Sequence, residues 1–210
     1  FFVNQLEQRP YFQFKLAMTS DGVYGRQNEN RLWISSPEAG RYVHEELRNS
    51  ADAILSTAKS VINDNSKLNV RREDQEDEKT AIILDQQLAL LLPENKHLDI
   101  LKERRNSKLL LVTSRQQEIQ DLPSYTEILV VSETDSGNLC LSSLSKLLYQ
   151  KGYVSVLVEA GYNLYRQMRA LNLIDECLMI VADEISKQDA SNLYFPDVSE
   201  LTQKNQFEGF

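Results

Sequence analysis

The stretch Tyr153-Val154-Ser155-Val156-Leu157-Val158-Glu159-Ala160-Gly161-Tyr162-Asn163-Leu164 decides how the rest of this sequence is read. Tyr153 to Val158 is a short, nearly unbroken apolar and β-branched run, the pattern of a strand covered on both faces in a parallel sheet. Glu159 follows at once, then Gly161, and then Leu164, Met168 and Leu171 recur at helical spacings of four and three. A strand, a glycine turn and a helix start put free backbone N–H groups at the strand's carboxyl end. That is a seat for a phosphate or another anion, with Glu159 as a polar handle beside it. An ordinary βα turn has the same pattern, and one glycine does not separate the two.

The neighbouring segments repeat the strand–helix rhythm. Downstream, Cys177 to Ala182 is the next strand after the helix Tyr162 to Leu171. Upstream, Leu141 to Gln150 is helical, with Gly152 as its C-terminal stop. Leu109 to Thr113 and Glu127 to Val131 are strands, and His97 to Arg105 is a helix or helical turn. Thr80 to Leu84 is a strand ending at Asp85. The charged run Glu73 to Lys79 has no apolar stripe and reads as a solvated loop. Asp52 to Leu55 is a strand, Ser56 to Asn63 a loop with a short helix, and Asp64-Asn65-Ser66 a turn ahead of Leu68-Asn69-Val70-Arg71. Ser36-Pro37-Glu38 combines an N-cap, a proline at the first helical position and an acid in the first turn. It starts a helix whose apolar stripe is Ala39, Val43 and Leu47. Tyr11 to Met18 is a strand followed by the turn residues Thr19-Ser20-Asp21-Gly22. Within it, Lys15 is either a lysine snorkelling at a sheet edge or a paired, costly ammonium among apolar neighbours. Alternation of this kind predicts an α/β fold with a mainly parallel central sheet flanked by helices. The tail from Ser186 to Phe210 has weak patterning and is left unassigned.

Composition limits the function. The 210 residues suffice for one α/β domain with a real core. A net charge of −8 argues against nucleic acid or an anionic membrane as the main partner, although a local basic pocket is compatible with it. No apolar run approaches the ~20 residues needed to cross a bilayer. Two cysteines, Cys140 and Cys177, each in apolar surroundings, suit a reducing cytoplasm. His44 and His97 lack metal-ligand spacing, so no metal site is expected. Phe1 to Arg9 reads as a linker or domain lead-in closed by Pro10, and residues 10–210 as one domain. The chain begins with Phe1 and carries no signal peptide, so a piece of a longer protein is expected.

Several strings in order resemble one family. They are Arg9-Pro10-Tyr11, Lys15-Leu16-Ala17-Met18-Thr19-Ser20-Asp21-Gly22, Trp33-Ile34-Ser35-Ser36-Pro37-Glu38-Ala39 and Asp52-Ala53-Ile54-Leu55. Ser60-Val61, Asp64 with Leu68-Asn69-Val70-Arg71, Ile82-Ile83-Leu84-Asp85 and Leu157-Val158-Glu159-Ala160-Gly161 continue the set. Across residues 9 to 182 the chain resembles the C-terminal reductase domain of the bifunctional deaminase/reductase of riboflavin biosynthesis, which has a dihydrofolate-reductase-like fold. Even Phe1-Phe2-Val3-Asn4 is similar to the linker that leaves the deaminase domain in that family. The zinc-deaminase Cys/His/Glu set is missing from these residues.

The resemblance implies NADPH-dependent reduction of 5-amino-6-(5-phosphoribosylamino)uracil to its ribitylamino form by a homodimer. It places cofactor contacts on Ala17, Trp33, Ser60, Asp64 and the turn Gly161-Tyr162-Asn163-Leu164. It places substrate contacts on Arg48, Leu68, Arg71 and Glu159, the arginines suiting a 5′-phosphate. Asp64 and Glu159 are the acidic positions where substrate and nicotinamide meet, and Lys15 is the strand lysine beside them. A carboxylate–lysine pair there would assist opening of the ribosylamine ring by proton transfer. Several residues depart from the family pattern. The helix before Arg48 is one residue longer, Lys59 is unusual and is read as pointing to water, Arg31 stands where serine is common, and Tyr162 replaces a proline that stiffens the turn. These departures keep two alternatives open: a same-fold reductase of another pterin or pyrimidine, and a non-catalytic dimerisation module.

Overall fold

The computed structural model describes residues 2–26, 34–72, 75–102, 104, 107–116, 119, 122–183 and 189–195. Trp33 and Arg31, two of the positions discussed above, lie outside that set. The quoted run forms β9 (Ser155–Glu159), whose three central residues are buried. It lies inside a seven-stranded sheet ordered β10 (Glu176–Ala182), β1 (Tyr11–Thr19), β9, β3 (Ala53–Thr57), β6 (Thr80–Leu84), β7 (Leu109–Thr113) and β8 (Thr126–Val130). All six pairings are parallel. The expected fold is therefore present, and the apolar runs are apolar because layers cover both sheet faces.

Alternation along the strands sorts the core into two sides. Phe12, Phe14, Leu55, Val156 and Val158 face α5 (Leu141–Gln150) and α6 (Tyr162–Ala170), which contribute Leu144, Leu148, Leu164 and Met168. Ile54, Ile83, Leu109 and Leu111 face the opposite way, onto Val61 of α3 (Ala58–Asp64) and Ile100 of the single-turn α4 (Asp99–Lys102). Leu157 points to that same side, under Val43 and Leu47. After β3 the chain continues to β6 on one side of the sheet order. After β9 it continues to β10 on the other. The two directions part between the carboxyl ends of β3 and β9, the topological switch point where open α/β sheets bind ligands.

Several expectations change in detail. The lead-in forms a helix, α1 (Phe2–Glu7), and the buried Asn4 amide donates to the carbonyls of Arg9 (2.8 Å) and Val154 (2.9 Å). Arg9 completes the junction through a two-pronged bond to Asp175, both distances 2.7 Å. The charged run read as a loop contains β5 (Gln75–Glu78), antiparallel to β4 (Asn69–Arg72). Its charges sit on a ribbon, where Lys67 pairs with Glu76 and Arg72 with Asp77. β5 is exposed along most of its length and shows no apolar stripe, so periodicity could not reveal it. In the tail, β11 (Asn192–Tyr194) pairs with β2 (Val23–Arg26), a strand the sequence reading did not assign. Cys177, expected among apolar neighbours, is exposed on the outer strand β10.

Candidate active site

Glu159 ends β9 at the switch point. Its carboxylate accepts two bonds from Arg48, from Nε at 2.6 Å and from Nη2 at 2.9 Å. Arg48 is 8% exposed, and Nη1 donates to the Asn69 carbonyl at 2.8 Å, so the guanidinium is held by both β9 and β4. Burial alone would push the Glu159 carboxyl up. The charge and hydrogen bonds of Arg48, with help from Lys15 and His44, override it and hold the group down to about 2. The carboxylate is thus ionised at neutral pH despite its setting.

The chain reaches Arg48 by an unusual route. Ser36 caps α2 (Pro37–Tyr42) by accepting the Ala39 N–H at 3.2 Å, as the sequence predicts. The helix then widens into a π-helical segment, Val43–Arg48. A π turn takes in one more residue than an α turn without moving the helix ends, and such turns gather at functional sites. The widened turn still buries Val43 and Leu47 while aiming Arg48 at Glu159.

Lys15 lies in β1, which has partners on both sides, so it is not at a sheet edge. It stands in register with Glu159 of β9 and is half-buried on the same face. Of the two sequence readings, the structure favours the paired ammonium. Ala17 is two residues further on the same face of β1, in register with Ile180. From the other side, Ser56 donates to the Glu159 carbonyl at 2.6 Å and ties β3 to β9. Thr57 caps α3 by accepting the Ser60 N–H at 3.2 Å. Asp64 is the last residue of α3 and is exposed there, with Asn65 in the left-handed conformation after it. It lies one turn beyond Ser60 on the same face of that helix. Leu68 is buried beside α3, and Arg71, on β4, is exposed.

Gly161 is the N-cap of α6, and no side chain caps that helix start. Its φ of −76° and ψ of 175° are extended backbone open to any residue, so the turn does not need glycine for its conformation. A Cβ built there meets nothing within 4 Å. What glycine provides is unobstructed access to the backbone N–H groups at the start of α6, which suits a close-lying anion. Tyr162, Asn163 and Leu164 make up the first turn. Tyr162 meets Phe195 edge-on at 5.1 Å and lies 6.1 Å from Tyr24, and this aromatic group braces the turn.

One neighbour was missed by the sequence reading, which weighed His44 only as a metal ligand. Its Nδ1 accepts the Arg71 backbone N–H at 2.9 Å, and its Nε2 lies 3.3 Å from Arg71 Nη2 and 3.5 Å from Arg48 Nη1. The four-residue spacing of His44 and Arg48 was the available signal. Among the described residues there is no group of three or more His, Cys, Asp or Glu side chains that could hold a metal ion. No helix among them is long and apolar enough to cross a membrane.

Comparison with known proteins places this geometry. The riboflavin biosynthesis protein RibD of Haemophilus influenzae is 27% identical over 214 residues, covering 95% of this chain and 55% of that protein. A 2,5-diamino-6-ribosylamino-4(3H)-pyrimidinone 5′-phosphate reductase of Methanothermobacter thermautotrophicus is 28% identical over 180 residues, 84% of this chain and 79% of that one. The crystal structure of a Thermotoga maritima diaminohydroxyphosphoribosylaminopyrimidine deaminase/5-amino-6-(5-phosphoribosylamino)uracil reductase superposes with a TM-score of 0.71. It is 25% identical, with 95% of this chain and 52% of that one covered. The chain spans about half the length of the bacterial RibD proteins it matches. The family model described as the RibD C-terminal domain matches residues 10–189, and with the fold in agreement the chain belongs to that family.

Proposed function

We propose that this chain reduces 5-amino-6-(5-phosphoribosylamino)uracil to 5-amino-6-(5-phosphoribitylamino)uracil with NADPH. The observation that carries the reading is the Lys15–Glu159–Arg48 cluster, three charges set at the switch point of an otherwise apolar sheet. A scaffold gains little from charges placed there, whereas a proton-transfer site requires them. Support comes from relatives whose names specify this reduction or one on a closely similar ribosylaminopyrimidine phosphate.

In this reading the substrate's sugar lies over Lys15 and Glu159, with Leu68 beside the pyrimidine and Arg71 toward the 5′-phosphate. Arg48 acts through Glu159, because its guanidinium is already committed there. Lys15 donates a proton to the ring oxygen as the C1′–O bond breaks, and the nitrogen lone pair forms a C1′=N iminium. The Glu159 carboxylate stabilises that cation. When bound, NADPH would supply the hydride chemistry that completes the ribitylamine at C1′, and water would reprotonate Lys15. The uncapped start of α6 at Gly161-Tyr162-Asn163-Leu164 would hold the cofactor's phosphates. Ala17 would floor the nicotinamide, and Trp33, Ser60 and Asp64 complete the assigned contacts.

The test is direct. Addition of NADPH should change intrinsic protein fluorescence at sub-millimolar concentration, and NADPH should be consumed only when the phosphoribosylamino-pyrimidine is present. Binding without turnover would shift the reading to a different pterin or pyrimidine, the alternative that Tyr162 in its aromatic group favours. Absence of binding would leave a non-catalytic dimerisation module.

Gly161 gives an independent check. Gly161→Ala should change stability by less than about 1 kcal/mol, because the backbone conformation suits alanine and the unfolded chain loses freedom, while the N-cap preference for glycine over alanine opposes that gain. NADPH binding should weaken several-fold in the same variant, read by the same titration. Unchanged binding would remove the cofactor from this turn.

The wider assignment is one reductase domain from residue 10 onward, preceded by the docked α1. It is a homodimer in a reducing cytoplasm. Val181 is 47% exposed and Cys177 is exposed on the outer strand β10, so that strand presents an apolar edge a second copy could cover.

A further inference from the structure

We infer that Phe195 is a positioning residue for the turn at Gly161: from just after β11 it backs Tyr162 and holds the first turn of α6 in the shape that receives the cofactor's phosphates. The inference deepens the reduction proposed above and rests on that reading for its ligand, the pyrophosphate of a nicotinamide dinucleotide.

A helix start without a side-chain cap has no local polar group to fix it, and α6 begins in that way at Gly161. Packing holds its first turn instead. Tyr162, the first helical residue, is half-buried, and its ring meets Phe195 with the planes at 89° and the centroids 5.1 Å apart. Phe195 is 4% exposed and lies 4.8 Å from the Tyr24 ring of β2 and 6.4 Å from the Tyr165 ring of α6. Ring contacts of this kind are directional, so they set orientation as well as burial. Tyr165 in turn meets Phe14 of β1 edge-on at 5.4 Å, which fastens the group to the sheet. The backbone holds Phe195 in place: its N–H donates to the Gly22 carbonyl at 2.9 Å, and β11 before it pairs with β2. Gly22, with a φ of 86°, turns the chain from β1 into β2. Because β1 and β9 are parallel neighbours, that turn and the one at Gly161 lie at the same edge of the sheet. One side chain thus joins β2, α6 and the segment after β10 where the helix start offers its backbone N–H groups. Such a residue does not meet the ligand; it sets how much of the protein holds the turn in binding shape.

The experiment compares wild type, Phe195→Leu and Tyr24→Leu, since leucine keeps each position apolar and removes a ring. Kinetics give KM for NADPH and for the phosphoribosylamino-pyrimidine, calorimetry gives the affinity for inorganic pyrophosphate, and amide hydrogen exchange follows the turn itself. Phe195→Leu should raise KM for NADPH and weaken pyrophosphate binding about 3- to 10-fold, what one or two lost ring contacts are worth. Its kcat and its KM for the pyrimidine should hardly move. The Leu164 and Tyr165 amides, which donate to the Gly161 carbonyl at 3.2 and 3.3 Å, should exchange faster by a similar factor while the amides of β9 keep their wild-type rates. Tyr24 is half-buried, so Tyr24→Leu tests the same group at less risk to folding and should shift every readout in the same direction. It decides alone if Phe195→Leu does not fold. A contact that only stabilises the fold would speed exchange in β9 and α6 alike and leave the NADPH affinity unchanged, and either result overturns the inference while the reductase reading stands. If wild type neither binds nor consumes NADPH, the reductase reading fails by itself. Pyrophosphate calorimetry and exchange then still decide on Phe195: weaker binding with faster exchange confined to α6 supports it, and equal or absent binding overturns it.

Discussion

Arg48→Met is expected to destabilise the protein by about 3 kcal/mol at pH 7, the lower end of what breaking a buried ion pair costs, because Lys15 remains beside the abandoned carboxylate. The pH dependence separates this from a simple packing defect. In wild type the Glu159 carboxyl is held at about 2, below its ordinary 4.5. A depressed acid contributes stability above its unfolded value, and that contribution fades as pH falls from 4.5 toward 2. In Arg48→Met the same carboxyl is buried without its main partner, so its folded value rises and ionisation becomes the cost. The gap between the two proteins should therefore be widest near neutrality and should narrow below pH 4.5, as measured by urea unfolding across pH. The double variant Arg48→Met/Glu159→Gln should recover at least half of the loss at pH 7, since no charge is left stranded. A gap that stays constant with pH would mean the methionine simply packs badly.

How far this pair could be read in advance depends on range. The strands were legible because a parallel strand covered on both faces has to be apolar, and β3, β6, β7 and β9 each show such a run. The start of α2 was legible because Ser36, Pro37 and Glu38 are chemically local. The partnership of Arg48 and Glu159 spans 111 residues and leaves no periodic trace, so only the family resemblance brought the two residues into one account. The π-helical segment was hidden for another reason: one added residue in an amphipathic helix does not say whether the chain bulges or shifts register. Gly161 drew attention as a turn glycine, and its extended backbone shows that the turn does not need glycine for its conformation. His44 was set aside because histidine was weighed as a metal ligand rather than as a neighbour of two arginines.

Lys15 provides the sharpest test of the chemistry. Replacing it with methionine should lower kcat by about 10²- to 10⁴-fold, the usual contribution of a positioned general acid, with NADPH consumption as the readout. Stability should barely change: the variant loses an attraction to Glu159 but also the desolvation cost of a half-buried ammonium, while Arg48 still neutralises the carboxylate. NADPH affinity should also hold, because the turn at Gly161 is built on a different element. Together these separate proton donation from cofactor positioning, which no substitution at Glu159 could do. Lys15→Arg sharpens the point. It keeps the charge, but a guanidinium holds its proton far more tightly, so the rate should stay close to that of the methionine variant. Recovery in Lys15→Arg would show that charge alone is needed and that the proton for ring opening comes from another source. If Lys15→Met retains more than about a tenth of wild-type kcat, ring opening does not depend on this lysine at all, because a general acid is worth at least two orders of magnitude.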